Sequence, residues 1–369
     1  MVVPFLGLYL TDESMGYSIG KSGVVMGLFG LGAVIGAYIS GKLTDKIGFY
    51  PIQLFTLIVG GLLFFVLGQM KTYPLICLVT FLLSFVNEAF RPANSTAIAF
   101  YSKEENRTRS YALNRLAINI GWAVGSAIAG FIAAYNYELL FWIDGITNIV
   151  AAILMWIVLR PKRALKSSSL KIQTGDEPDH SVNRDKIYLW FILFTFIFAA
   201  CFFQIFTNLP IYFRNDLRLP EQSIGMLNAL NGIIIAAVEM ILVFKLEGKR
   251  SSTFYITRGV MLCGLAYLIL SIFQGNLLLA TIMIITITFG EILAMPFMNT
   301  FWISRSTSFN RGQYAAYYTI AWASAQSLGP LIASQVVEYS NFNTLWWTMA
   351  GFCLLSSVGF GWLHRKLYR

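Results

Sequence analysis

Six ionisable side chains stand inside long apolar runs of this sequence: Glu88, Arg91, Arg115, Asp144, Glu239 and Glu291. Charge in an apolar setting is costly, so such groups pair, face a bundle interior or line a water-filled cavity. Desolvation disfavours a carboxylate's charged form, which lets a Glu so placed take up and release a proton. A nearby Arg opposes that tendency. Glu88 has Arg91 one helical turn away, within reach of an ion pair, so it is expected to stay ionised and to serve structure or ligand binding. Glu239 and Glu291 have no basic neighbour on their own segments. The proton-coupling candidates therefore rank Glu291, Glu239, Glu88. Asp144, near a segment end, reads as a packing or capping group. Arg115 reads either as functional or as a side chain reaching for the surface.

Helical spacing joins these charges to other polar and aromatic residues. Ser84, Glu88, Arg91 and Ser95 recur at steps of four, three and four, which places them on one helix face. Arg115, Asn119, Trp122 and Ser126 do the same, as do Asn228, Asn231, Ile235 and Glu239. A further stripe carries Thr288, Glu291, Met295, Met298 and Trp302, and another segment adds Gln204 and Asn208. The expectation is that these stripes meet at one central cavity. Its candidate lining is Arg91, Arg115, Asn119, Trp122, Gln204, Asn208, Asn228, Asn231, Met295, Met298 and Trp302.

The elements that must position them are membrane-spanning helices. The chain has 369 residues, 57% of them hydrophobic and only 12% charged, against about 25% charged in a soluble domain. Its mean hydropathy is +0.64. Segments of about 20 apolar residues, enough to cross a bilayer, lie near 20–41, 49–70, 73–98, 110–134, 137–159, 187–213, 222–245, 252–273, 276–303, 311–337 and 342–363. The polar stretch 160–186 reads as a cytoplasmic linker between an amino-terminal bundle, 1–159, and a carboxy-terminal bundle, 187–369. Net charge is +9, but the basic residues fall in short loops, which points to topology and away from nucleic acid. With the loops 42–48, 102–109, 160–186, 245–252 and 304–311 and the C-terminus inside, 21 of the 27 Lys and Arg are cytoplasmic, counting Arg258 just within its helix, and four are outside. That asymmetry sets the orientation. The four cysteines lie in apolar runs without metal-ligand spacing, and the two histidines, His180 and His364, lie in the linker and near the C-terminus. No metal cluster, nucleophile elbow or phosphate loop is present in the sequence, so neither a metal site nor an enzyme is expected.

The two halves repeat at an offset of about 202–203 residues. Glu88-Ala-Phe-Arg-Pro matches Glu291-Ile-Leu-Ala-Met-Pro, and Asn106-Arg107 matches Asn310-Arg311. Glu88 and Glu291 each lie 15 residues from the outer end of their segments, or about 22 Å along a helix. Repeats of one orientation joined by a cytoplasmic linker imply two six-helix bundles around a midplane site.

The motifs then resemble the major facilitator superfamily over nearly the whole chain. Gly41-Lys-Leu-Thr-Asp45-Lys46-Ile-Gly48 is similar to that family's loop between the second and third helices, with Phe49 and Tyr50 where a basic pair usually follows. The resemblance implies a gating role for Gly41, Asp45, Lys46 and Gly48. Gly121-Trp-Ala-Val-Gly125-Ser-Ala-Ile-Ala-Gly130 resembles the glycine-rich fifth helix of drug–proton antiporters, with Ser126 where those have Pro. It implies a hinge or packing seam at Gly121, Gly125 and Gly130, and at their repeat mates Gly329 and Pro330. The pattern Gly290-Glu291…Pro296 occurs in drug exporters and in a similar form in proton-coupled peptide importers.

The expected fold is therefore an all-α polytopic membrane protein of two six-helix bundles in parallel repeat. The expected function is a proton-coupled secondary transporter of the bacterial-type inner membrane, with its C-terminus cytoplasmic, that exports small amphiphilic compounds by alternating access. A proton-coupled importer of small solutes or peptides stands as the alternative, and a non-transporting membrane receptor or inactive transporter as a second. The expected partners are lipid, a small-molecule substrate and protons, with a proton gradient as energy source, no cofactor, no nucleic acid and a monomeric state. Met1–Leu10 resembles only the outer half of the family's first helix, so about 11.5 spans are expected, from an internal start or a damaged copy.

Overall fold

The computed structural model describes residues 2–102, 107–159, 182–273, 275–306 and 311–368. Side chains are described for all of these except 45, 99, 107–109, 111, 112, 115, 311 and 312. Most of the expected linker, 160–181, lies outside the described residues.

Fourteen α-helices follow one another among the described residues. The amino-terminal half holds α1 (Val2–Thr11), α2 (Ile19–Ile47), α3 (Phe49–Gln69), α4 (Tyr73–Glu88), α5 (Phe90–Tyr101), α6 (Arg107–Tyr135) and α7 (Glu138–Val158). The carboxy-terminal half holds α8 (Lys186–Phe202), α9 (Asn208–Asn215), α10 (Glu221–Leu246), α11 (Ser252–Ile272), α12 (Leu277–Arg305), α13 (Arg311–Tyr339) and α14 (Phe342–Tyr368). Nine segments are long and apolar enough to cross a membrane, among the described residues, with α4 and α5 counted as one and α8 taken through Phe206. Two more, α13 and α14, reach 29 and 27 residues with a more polar composition. The outward faces carry large apolar side chains such as Phe244 and Ile157, as a lipid-facing surface requires.

Local chemistry sets the helix ends. Ser18 caps α2 by accepting the Lys21 N–H at 3.3 Å, and Asn276 caps α12 by accepting from Leu278 and Leu279 at 3.1 and 3.3 Å. Between α2 and α3 the chain turns in a single residue, Gly48, at φ 88°, a backbone region that glycine enters without a Cβ clash.

Two spans expected to be continuous are broken, and each break lies beside a proline. The segment 73–98 divides into α4 and α5 at Ala89. Pro92, near the start of α5, has no N–H for the Glu88 carbonyl and its ring crowds that carbonyl. Likewise 187–213 divides into α8, a 3-10 turn at Phe203–Phe206, and α9, with Pro210 four residues past Phe206. Pro296 and Pro330 lie within α12 and α13 without ending them.

The halves meet along two helix pairs, α2 with α13 and α6 with α10, with α1 against α9 between them. Small residues permit the approach. A Cβ on Gly130 would stand 2.6 Å from the Glu221 carbonyl oxygen and 2.9 Å from the Gly225 Cα, and one on Gly30 would stand 2.6 Å from the Ser327 Cα. Gly23 faces Ser334, and Gly27 faces Leu331 and the Ser327 carbonyl. These contacts occupy residues 20–30 against 326–338 and 119–130 against 221–232. All belong to the half of the bundle whose loops carry few basic residues, called the charge-poor end below.

Candidate functional site

At the charge-poor end, Arg214 reaches from the end of α9 into the other half. Its guanidinium donates to the Leu8 carbonyl at 2.9 Å, to Thr11 Oγ1 at 2.9 Å and to the Tyr137 hydroxyl at 3.3 Å, and lies 3.4 Å from Asp12 Oδ1. Thr11 and Leu8 belong to the last turn of α1, whose carbonyls lack helical partners and attract cations. The Tyr137 hydroxyl donates in turn to Glu221 Oε1 at 2.9 Å, at the start of α10. Burial raises the Tyr137 phenol above its ordinary pKa, with Glu221 adding to the rise and Arg214 opposing it, so at neutral pH the phenol stays a donor. A second tie joins α2 to α13: Glu338 accepts the Gly20 N–H at 2.9 Å, and Gln335 donates to the Gly20 carbonyl at 3.3 Å. The charge-poor end is thus held shut by hydrogen bonds that cross between the halves.

Deeper in the bundle, Asn231 joins α10 to α12. Its amide donates to Thr288 Oγ1 at 2.9 Å and to Glu291 Oε2 at 3.3 Å. Asn228, one turn earlier on α10, is 4% exposed and its side-chain nitrogen has no hydrogen-bond partner. Glu239 is buried on the same helix. Of the residues in the α10 and α12 stripes, the structure joins Asn231 to Thr288 and Glu291.

The remaining stripe residues go to several places. Glu88 and Arg91 form the ion pair their spacing allows, at 2.7 Å, with the Arg91 side chain 75% exposed. Ser84 donates to the Phe29 carbonyl of α2. Gln204 and Asn208 are fully buried and bond one another across the helix break at 2.7 Å, with Ser334 donating to Asn208 at 3.0 Å. They occupy the break between α8 and α9 and line no open space in this conformation. The break frees backbone groups, and side-chain amides are well suited to satisfy them. Asn119 presents its carbonyl to Gly232 across the seam. Met298 is buried and Met295 half-buried. Asp144 accepts the Val2 N–H at 2.8 Å, a capping contact at the start of α1.

An aromatic wall connects the halves. From Trp302 on α12 it passes to Tyr318 and Trp322 on α13, to Phe202 and Phe206 at the break, and to Trp122 on α6. Successive ring centroids are 6.1, 6.2, 5.9, 5.4 and 5.1 Å apart. The Trp322 indole N–H within it is buried and has no partner. Sequence reading found Trp122 and Trp302 and missed Trp322, which lies on a helix without intramembrane charge. It also missed Arg214. The signal there was the opposite charge of Asp12 and Arg214, each shortly beyond the matching prolines Pro4 and Pro210.

Of the gating motif, Gly48 makes the turn, Lys46 is exposed and Gly41 has open space where a Cβ would be. The side chains of Asp45 and Arg115 lie outside those described. The glycine expectations divide. Gly130 is at the seam, and the Pro330 carbonyl faces Gly23 there. Gly125 is half-buried on α6. Gly121 borders open space, and Gly329 packs on Ala200 of α8 within its own half. Those two therefore depart from the expected seam, because their sides of α6 and α13 face away from the partner half.

A sequence model of the Major Facilitator Superfamily matches residues 1–330. The chain is 20% identical to a Na(+), Li(+), K(+)/H(+) antiporter of Planococcus maritimus, over 98% of this chain and 91% of that protein. It is 30% identical to the Multidrug resistance protein MdtG of Proteus mirabilis, over 44% of this chain and 41% of that one. The fold superposes on the crystal structure of the nucleoside transporter NupG (D323A mutant) with TM-score 0.81 at 15% identity, over 98% of this chain and 95% of the other.

Proposed function

The chain belongs to the major facilitator superfamily of membrane transporters, and from that membership we propose that it is a proton-coupled exporter of small amphiphilic compounds working by alternating access. The observation that carries this reading is the aromatic wall from Trp302 to Trp122. It crosses the seam between halves, and on α12 it begins three turns beyond Glu291. Flat apolar ligands stack on such rings, and cationic ones gain from the ring faces. The buried Trp322 N–H offers a hydrogen bond to a ligand acceptor, since a buried donor without a partner is costly to leave so. The similarity to an antiporter and to a multidrug resistance protein supports the same reading.

The Lys and Arg distribution puts the charge-poor end outside and the C-terminus in the cytoplasm. In that orientation the structure is closed to the outside, the state in which an exporter collects its ligand. Glu291, which accepts a hydrogen bond from Asn231, is the proton carrier. Protonation and ligand binding compete to bias which side opens, because each changes the charge that the closed bundle must bury.

Inside-out membrane vesicles with an acidified lumen test the proposal. Adding a transported amphiphilic cation is expected to release luminal protons, and Trp322→Phe, which keeps the ring and removes the N–H, is expected to raise KM for ligands bearing an acceptor. Proton and solute moving in the same direction would replace this reading with proton-coupled import. An absence of movement for every compound class under every gradient would replace it with a receptor.

A further inference from the structure

A cavity of about 520 Å³ opens at the charge-poor end, apart from the aromatic wall. Three carboxylates line it: Asp12 past the end of α1, Glu138 at the start of α7 and Glu221 at the start of α10. Lys71 also lines it and is bound to Glu138 at 2.6 Å, while Arg214 approaches Asp12 at 3.4 Å. Three negative side chains thus face two positive ones. The cavity also takes in the last turns of α1 and α6. Each of those two ends adds the equivalent of about half a negative charge, and the starts of α7 and α10 add as much positive charge, so the local charge stays about −1.

An acidic cluster alone names no ligand. The second observation is Tyr9. Its side chain is 4% exposed, its ring packs on Tyr137 and Phe141 at 6.1 and 5.1 Å, and it lines this cavity. Its hydroxyl is buried and has no hydrogen-bond partner. Lys71 and Glu138 line the same cavity, so their ion pair stands in the wall that Tyr9 shares. A buried hydroxyl beside an electronegative, tyrosine-walled cavity is matched by a donor-rich cation with a short aliphatic body. A bare metal ion would leave most of the volume empty, and no cluster of three metal-ligating side chains exists among the described residues.

We propose that this cavity binds a small aliphatic diammonium ion from the charge-poor side. One ammonium group pairs with Glu221 in the carboxy-terminal half. The other pairs with the Asp12 and Glu138 side of the amino-terminal half, where it also donates to the Tyr9 hydroxyl. The ion bridges the halves and stabilises the state closed at this end. The site does not depend on the direction of transport.

The probe is 1,4-diaminobutane, added to the purified full chain. Equilibrium dialysis of the labelled compound is expected to show one saturable site per chain, and thermal melting a midpoint that rises to saturation. Sodium chloride at matched ionic strength is expected to leave the midpoint unchanged. Glu221→Gln and Tyr9→Phe, one in each half, are each expected to weaken half-saturation by about tenfold, the loss of one hydrogen bond to a charged group. No saturable binding, an equal rise with sodium chloride, or unaltered half-saturation in both variants would overturn the site. Dialysis on the unmodified chain decides the matter if either variant fails to fold.

Discussion

Replacing Arg214 by Ala removes the group that ties α9 to α1 and, through Tyr137, to the loop before α7. Two of its four contacts, to the Leu8 carbonyl and Thr11 Oγ1, are 2.9 Å long. Hydrogen bonds to a charged group contribute about 1.5–3 kcal/mol each. The Arg214 side chain is 15% exposed, so water recovers part of that when the halves separate. The low end of the range, reduced by about a third for this solvation, leaves about 2 kcal/mol in favour of closure. That is a shift of about thirtyfold in the equilibrium between closed and open. If closure holds about 99% of the unmodified protein, Arg214→Ala lowers it to about three quarters. Spin labels on Glu13→Cys and Asn341→Cys, exposed positions of the two halves at this end, read the change as a second, longer distance population, with Cys77 replaced because it is only partly buried. Arg214→Lys is expected to fall between, since an ammonium lacks the planar fork that serves several acceptors at once. An unchanged distance distribution in Arg214→Ala would refute the latch.

Other positions give further expectations. Gly130→Leu places a side chain where even a Cβ lies 2.6 Å from the Glu221 carbonyl oxygen, so it is expected to favour the open state in the same distance measurement and to abolish turnover. Asp185 caps α8 by accepting the Tyr188 N–H at 3.0 Å, pairs with Arg305 at 2.8 and 2.9 Å, and accepts from Tyr314 at 3.0 Å. Burial pushes its carboxyl up, but the bonds from Arg305, the Tyr188 N–H and Tyr314 outweigh burial and hold its pKa below the ordinary carboxylate value. Its contribution is therefore complete above that ordinary value and fades as pH falls through the lowered one. Asp185→Ala is expected to lower stability at neutral pH by about 3 kcal/mol, read by thermal unfolding, with the gap to the unmodified protein closing in acid.

The sequence made some of this legible because its signals are local. Apolar runs of bilayer length and loops rich in Lys and Arg need only neighbours in the chain to be read, and the repeat carrying Glu88 and Glu291 needs only two such local stretches laid side by side. Glu88 with Arg91 is one turn of helix, and the structure forms that pair. The helix breaks at Ala89 and before Asn208 were also present in the sequence, as Pro92 and Pro210, but proline inside a span permits a kink, a break or a continuous helix, as Pro296 and Pro330 demonstrate. What lay out of reach was the meeting of distant residues. Arg214 finds α1 some 200 positions away, and Trp322 joins Trp122 only through Phe202 and Phe206 at the break. Helical period gives the direction of a side chain and leaves open which neighbour receives it. For that reason Gln204 and Asn208, polar on an apolar segment, could read as cavity lining when they close on each other and on Ser334.

Proton coupling through Glu291 is the central claim, and transport by the full chain in proteoliposomes under an imposed pH gradient tests it most directly. The unmodified protein is expected to accumulate an amphiphilic cation against its gradient when the proton gradient opposes in direction. Glu291→Gln keeps the shape and a hydrogen-bonding group for Asn231 but cannot release a proton. It is expected to retain exchange of substrate for substrate and to lose accumulation driven by the pH gradient. Accumulation by Glu291→Gln equal to that of the unmodified protein would contradict the account.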